Sequence, residues 1–126
     1  MVRNESDTRY LVIEKLYVYS DVATAVDVHL TNRAVFTAAG TAVTGVGLNS
    51  KIQKVAKATA FANETGNVQG NIIITLHTSE LTTSQEGVEY NFEGGVILGR
   101  NGVIAADLVA DSAAFECTII GYFVDM

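Results

Sequence analysis

Residues 9–19 (Arg9-Tyr10-Leu11-Val12-Ile13-Glu14-Lys15-Leu16-Tyr17-Val18-Tyr19) are dense in β-branched and aromatic side chains, interrupted only by Glu14 and Lys15. Such residues favour a pleated, at least half-buried strand. Side chains of a strand alternate between its faces. One face therefore carries Tyr10, Val12, Leu16 and Val18, and the other Leu11, Ile13, Tyr17 and Tyr19. A strand apolar on both faces is usually covered on both. In a thin sandwich the opposite sheet covers one face, so a loop or a neighbouring subunit must cover the other. Leu11, Ile13, Tyr17 and Tyr19 are the candidate interface residues on this reading.

The rest of the chain keeps the same two-residue rhythm. After Ser20-Asp21, Val26, Val28 and Leu30 alternate with Asp27 and His29, which marks a half-buried strand and suggests a hairpin with the first run. Residues 34–49 read as one short strand and a glycine-rich connection. Residues 51–62 fit two readings. Ser50-x-x-Gln53 matches a helix capping box, whereas Ile52-Gln53-Lys54-Val55 echoes Ile13-Glu14-Lys15-Leu16, and both precede a turn and a strand ending near a histidine. That parallel favours a second long hairpin, running from Ile52 to His77. Residues 88–92 alternate, Gly94-Gly95 punctuates, and Asn101-Gly102 between apolar runs is a strong hairpin signal. Phe115 to Val124 closes the pattern. Seven or eight antiparallel strands, with turns every ~8–12 residues, predict an all-β, jelly-roll-like β-sandwich. Residues 9–126 form this single domain, and the polar residues 1–8 are expected to be a flexible arm.

Composition narrows the function. The 126 residues carry 14 acidic and 8 basic side chains, a net charge of −6. Nucleic-acid binders gain affinity from Lys and Arg on phosphates, and anionic membranes attract the same residues. Neither partner is expected. Only 17% of the residues are charged, below the usual quarter or so, which fits a surface partly covered by other subunits. The N-terminal residues lack the apolar core of a signal peptide, and no apolar stretch reaches the ~20 residues of a membrane-spanning helix. Synthesis in the cytoplasm is the expectation.

Catalytic patterns are scarce, and neither enzymatic activity nor a cofactor is expected. His29, His77 and Asp27 contain the ingredients of a two-histidine, one-carboxylate metal site, but no short spacing fixes two of them together, so no metal site is assigned. Glu80, Glu86, Glu89 and Glu93 read as a solvated acidic loop rather than a glycosidase pair. Residues 94–102 lack the Gly-Lys-Ser/Thr ending of a phosphate loop, and turn glycines explain them. Lys51, Lys54 and Lys57 read as a solvated face. Cys117, the single cysteine, lies among large apolar residues and reads as a small buried hydrophobe. Two glycosylation sequons occur, Asn4-Glu5-Ser6 and Asn63-Glu64-Thr65, relevant only in a glycosylating pathway.

The strand–turn–strand of residues 10–30, the Gly-Gly-Val-Ile-Leu run at 94–98, the Asn-Gly turn and the closing Thr118-Ile119-Ile120-Gly121-Tyr122 together resemble small jelly-roll proteins of tailed-phage particles. These are the head-decoration, or cement, proteins and related virion β-sandwich modules. The resemblance spans roughly residues 9–125 and rests on rhythm, with no diagnostic motif and no functional residues to carry over. It implies a virion structural protein on the capsid surface that self-associates, as a trimer by preference, and clamps the major capsid or another virion protein. A carbohydrate-binding or adhesin-like module is the alternative, with tyrosines supplying the sugar-stacking surface.

Overall fold

The computed structural model describes residues 1–32, 40–46, 58–62, 70–78, 87–109 and 114–126. Nine strands run through them: β1 (Val2–Asn4), β2 (Arg9–Ser20), β3 (Thr24–Thr31), β4 (Thr41–Val43), β5 (Ala58–Ala62), β6 (Asn71–Thr78), β7 (Val88–Leu98), β8 (Val103–Leu108) and β9 (Phe115–Asp125). No helix occurs among the described residues. All pairings are antiparallel. One sheet has six strands in the order β4-β5-β1-β8-β3-β6, and the other has three, β7-β2-β9. The protein is a β-sandwich, as its rhythm predicts.

Between the sheets lie Leu11, Ile13, Leu16 and Val18 of β2, Val26 and Val28 of β3, Leu76 of β6, Val96 and Leu98 of β7, and Ile104 of β8. Burying each such side chain contributes about 1.5–3 kcal/mol relative to leaving it in water. Phe115, Ile119 and Phe123 of β9 pack against this core from the edge.

Chain neighbours are not sheet neighbours. β2 belongs to the small sheet and β3 to the large one, so residues 10–30 are a crossover between layers and not the expected hairpin. The Asn-Gly signal has the same outcome: it joins β7 of the small sheet to β8 of the large one. Here Gly102 N–H donates to the Gly99 carbonyl at 2.9 Å, and Asn101 takes a φ of +62°. A positive φ at the third position of a turn is the type II requirement, and a type I′ hairpin would need it at both central residues. The second predicted hairpin fails as well. Its described part, β5, pairs with β1 and β4, while β6 pairs with β3. Residues 51–57, and with them the helix alternative and all three lysines, lie outside the described residues, as does most of 34–49.

The N-terminal residues are not an arm. β1 inserts between β5 and β8, with Val2 opposite both Ala60 and Ile104. Asn4 and Ser6 are fully buried. The polar character that suggested an arm is needed because Asn4 satisfies backbone groups inside the protein. Its Nδ2 donates to the carbonyls of Arg9 (2.9 Å) and Leu98 (2.8 Å), and its Oδ1 accepts from Ser6 N–H (2.9 Å). Its main chain is bonded to Gly102 O and Asn101 N in the β7–β8 turn. Buried polar groups must be paired, and Asn4 is paired at every one of these atoms.

Candidate functional site

A β-bulge in β2 decides which residues the small sheet shows to solvent. Ile13 lies opposite Gly121 and Lys15 opposite Ile120, so Glu14 is an extra residue against β9. On the other side the register jumps from Val96 to Asn91, and β7 makes the excursion with Glu93 and Gly94 at φ of +52° and +73°. An extra residue reverses the alternation of everything after it. Before the bulge the odd residues Leu11 and Ile13 face the core; after it the even residues Leu16 and Val18 do.

The candidate interface of Leu11, Ile13, Tyr17 and Tyr19 is therefore divided. Leu11 and Ile13 are buried core residues and cannot contact a partner. Tyr17 and Tyr19 lie on the outer face but are half-buried, and the Tyr17 hydroxyl accepts from Gly87 N–H at 3.0 Å. Gly87 lies so close that a Cβ there would collide with the Tyr17 ring and the Val18 carbonyl.

The outer face of the small sheet has a different exposed set. Register places Val12 between Ile97 of β7 and Tyr122 of β9, and Tyr10 beside Val124. Ile120 follows opposite Lys15. Tyr10, Ile97, Ile120, Tyr122 and Val124 are 39–57% exposed, around a Val12 that is only 6% exposed. This makes a continuous apolar surface, with the Lys15–Glu89 ion pair (2.9 Å) at one side. Single exposed apolar residues need no explanation, but contiguous patches mark interaction sites. Sequence reasoning missed this set because the alternation that assigns Tyr10 and Val12 to one side of β2 and Leu16 and Val18 to the other depends on a bulge. The signal that could have found it is β9, where Ile120, Tyr122 and Val124 alternate with Ile119, Gly121 and Phe123.

The catalytic candidates do not converge. His29 lies opposite Ile72, and His77 is five residues further along β6, roughly 17 Å at about 3.4 Å per residue. Asp27 Oδ1 instead accepts from Thr75 Oγ1 at 2.6 Å. Among the described residues no three His, Cys, Asp or Glu side chains are grouped to hold a metal ion. Glu89 is engaged with Lys15, Glu93 sits on the β7 bulge, and Glu80 and Glu86 lie outside the described residues. Cys117 is on the same side of β9 as Phe115, Ile119 and Phe123, yet as an edge residue it is exposed rather than buried. Desolvation nevertheless pushes its thiol above the ordinary range. The Asn4 sequon is closed by burial, and Asn63 lies outside the described residues.

Two clefts meet at Leu30. One, about 450 Å³, lies at the end of the sandwich beside Asn32, Asn71 and Gly99. The other, about 310 Å³, runs between β6 and β7 past Ile74, Tyr90 and Phe92. Both are wide open, and Tyr90 is the one titratable side chain among the described residues that line them. Comparison with protein-family models, with curated proteins and with solved structures found no match.

Proposed function

We propose that this protein is a non-enzymatic structural module of a virus particle, a capsid-decoration protein that self-associates and binds capsid subunits. The observation that carries the reading is the apolar outer face of the β7-β2-β9 sheet, where Tyr10, Ile97, Ile120, Tyr122 and Val124 stand in water around Val12. Covering such a surface is favourable by roughly 25 cal/mol per Å² of apolar area. The acidic charge and the resemblance to cement proteins point the same way, and the resemblance adds the capsid surface as location and a trimer as the assembly. Light scattering over a concentration series tests self-association: a mass above the monomer is expected, and a monomer throughout would remove it. Mass spectrometry of gradient-purified particles tests the location, with the chain expected in stoichiometric amount and its absence counting against a virion role.

The alternative, a carbohydrate-binding module, draws on Tyr10 and Tyr122, two exposed rings on one face of the small sheet. Millimolar binding on a glycan array, lost in Tyr122→Ser, is its expected signature.

A further inference from the structure

Among the described residues each sheet ends in two edges, and three of these four carry a feature that discourages pairing. β4 is only three residues long. β6 is broken by a bulge, since Val28 pairs with Ile74 and His29 with Ile72, leaving Ile73 as the extra residue. β7 makes the excursion at Glu93 and Gly94. Short strands, bulges, proline and lysine are the usual means of blunting an edge. β9 has none of them. It runs eleven residues, Phe115–Asp125, contains no lysine, arginine or proline, and its register with β2 is offset only by the extra residue in β2. Among the described residues it pairs on one side only, with β2.

We infer that the free edge of β9 docks the β9 of a second copy, antiparallel, about a two-fold axis near Ile120. The inference rests on the self-association proposed above and names its contact, a two-fold pair in place of the trimer that the resemblance implies. A bare strand edge is satisfied by another extended backbone, and a two-fold contact requires a surface complementary to itself. β9 meets that requirement. With Ile120 at the axis, Thr118 faces Tyr122, Glu116 faces Val124 and Phe115 faces Asp125. The two acidic residues of β9 then never lie opposite each other, which matters because facing like charges destabilise a strand pair. Residues of matching parity meet, so outer-face side chains adjoin outer-face side chains. Ile120, Tyr122 and Val124 of both copies form one apolar band, and two three-stranded sheets become one of six.

The test combines hydrogen exchange and light scattering in reducing buffer, from low to high protein concentration. Expected are a dimer at high concentration and protection, in that form alone, of alternate amides along residues 115–125. Ile120→Lys, which puts two ammonium groups at the axis, weakens association by about tenfold or more. Ile72→Ser, at an exposed position of β6 in the other sheet, leaves it within about twofold, the range of a change outside the contact. Association with β9 amides exchanging as in the monomer, or lost equally in both variants, would overturn the edge contact while leaving self-association intact. Open-ended aggregates would overturn the two-fold. A monomer at every concentration would remove the proposal and the self-association reading together.

Discussion

Asn4 on β1 and Leu98 on β7 connect the two sheets through one side chain, whose Nδ2 donates to the Leu98 carbonyl at 2.8 Å in the fully buried interior. The same amide group reaches the Arg9 carbonyl where β2 begins. Asn4→Ala strands two carbonyls and the Ser6 N–H, and is expected to lower stability by about 2–4 kcal/mol, because each unsatisfied buried group costs about 1–3. Asn4→Asp restores the acceptor but aims a carboxylate at two carbonyls, and does no better. Urea denaturation measures both, and a loss in Asn4→Ala under about 0.5 kcal/mol, the range of a bland surface change, would show the network to be dispensable.

Tyr17 and Gly87 fit each other closely. Removing the hydroxyl in Tyr17→Phe leaves Gly87 N–H without its acceptor, at about 1 kcal/mol. Gly87→Ala drives a methyl into the Tyr17 ring and the Val18 carbonyl, and is expected to cost about 2 kcal/mol or more. Thermal unfolding of the two variants should rank them in that order.

Gly94 occupies the left-handed region at φ +73° beside Glu93. Gly94→Ala should cost about 1–2 kcal/mol, because a Cβ in that region meets the following carbonyl. Lys15→Ala, which breaks only the exposed pair with Glu89, should change stability by less than about 1 kcal/mol. Equal losses from the two substitutions in denaturant would contradict this account of the bulge.

Desolvation holds the Cys117 thiol above its ordinary range. Because the folded state favours the protonated form, this stabilising contribution is complete below the thiol's unfolded range and disappears as pH rises through the folded one. Iodoacetamide alkylation, which needs the thiolate, should have its midpoint at higher pH in the folded protein than in urea. Coincident midpoints would mean that the sulfur is fully hydrated.

Strands were legible from the alternating runs 24–30 and 88–92 and from the apolar-rich runs 71–78 and 115–124, which all fall on observed strands. Their pairing was not. A hairpin signal such as Asn101-Gly102 describes four residues of local geometry, whereas β7 and β8 are directed to opposite sheets by the backbone of Asn4, almost a hundred residues away. The candidate interface failed for a related reason. In β2 every position from Tyr10 to Val18 except Glu14 and Lys15 is apolar; that polar pair sits at the bulge, but apolar residues on both faces either side of it hide the change of the inward face from odd to even. β1 was hidden by its polarity, since Asn4 and Ser6 are buried for hydrogen bonding rather than for hydrophobic contact.

β1 has a mechanical consequence. In the order β4-β5-β1-β8-β3-β6, the pair β4-β5 joins the rest of its sheet, among the described residues, through the N-terminal segment: Val2, Arg3 and Asn4 pair with β5, Met1 exchanges hydrogen bonds with Phe61, and Glu5 accepts from Thr59. Withdrawing residues 1–5 leaves β8-β3-β6 facing β7-β2-β9, a sandwich of three strands on three, with β4 and β5 held to it chiefly by the packing of Ala58 on the core. Local opening follows the weakest attachment. The larger sheet therefore carries a releasable panel beyond β1, and the smaller sheet an unblunted strand at its β9 edge.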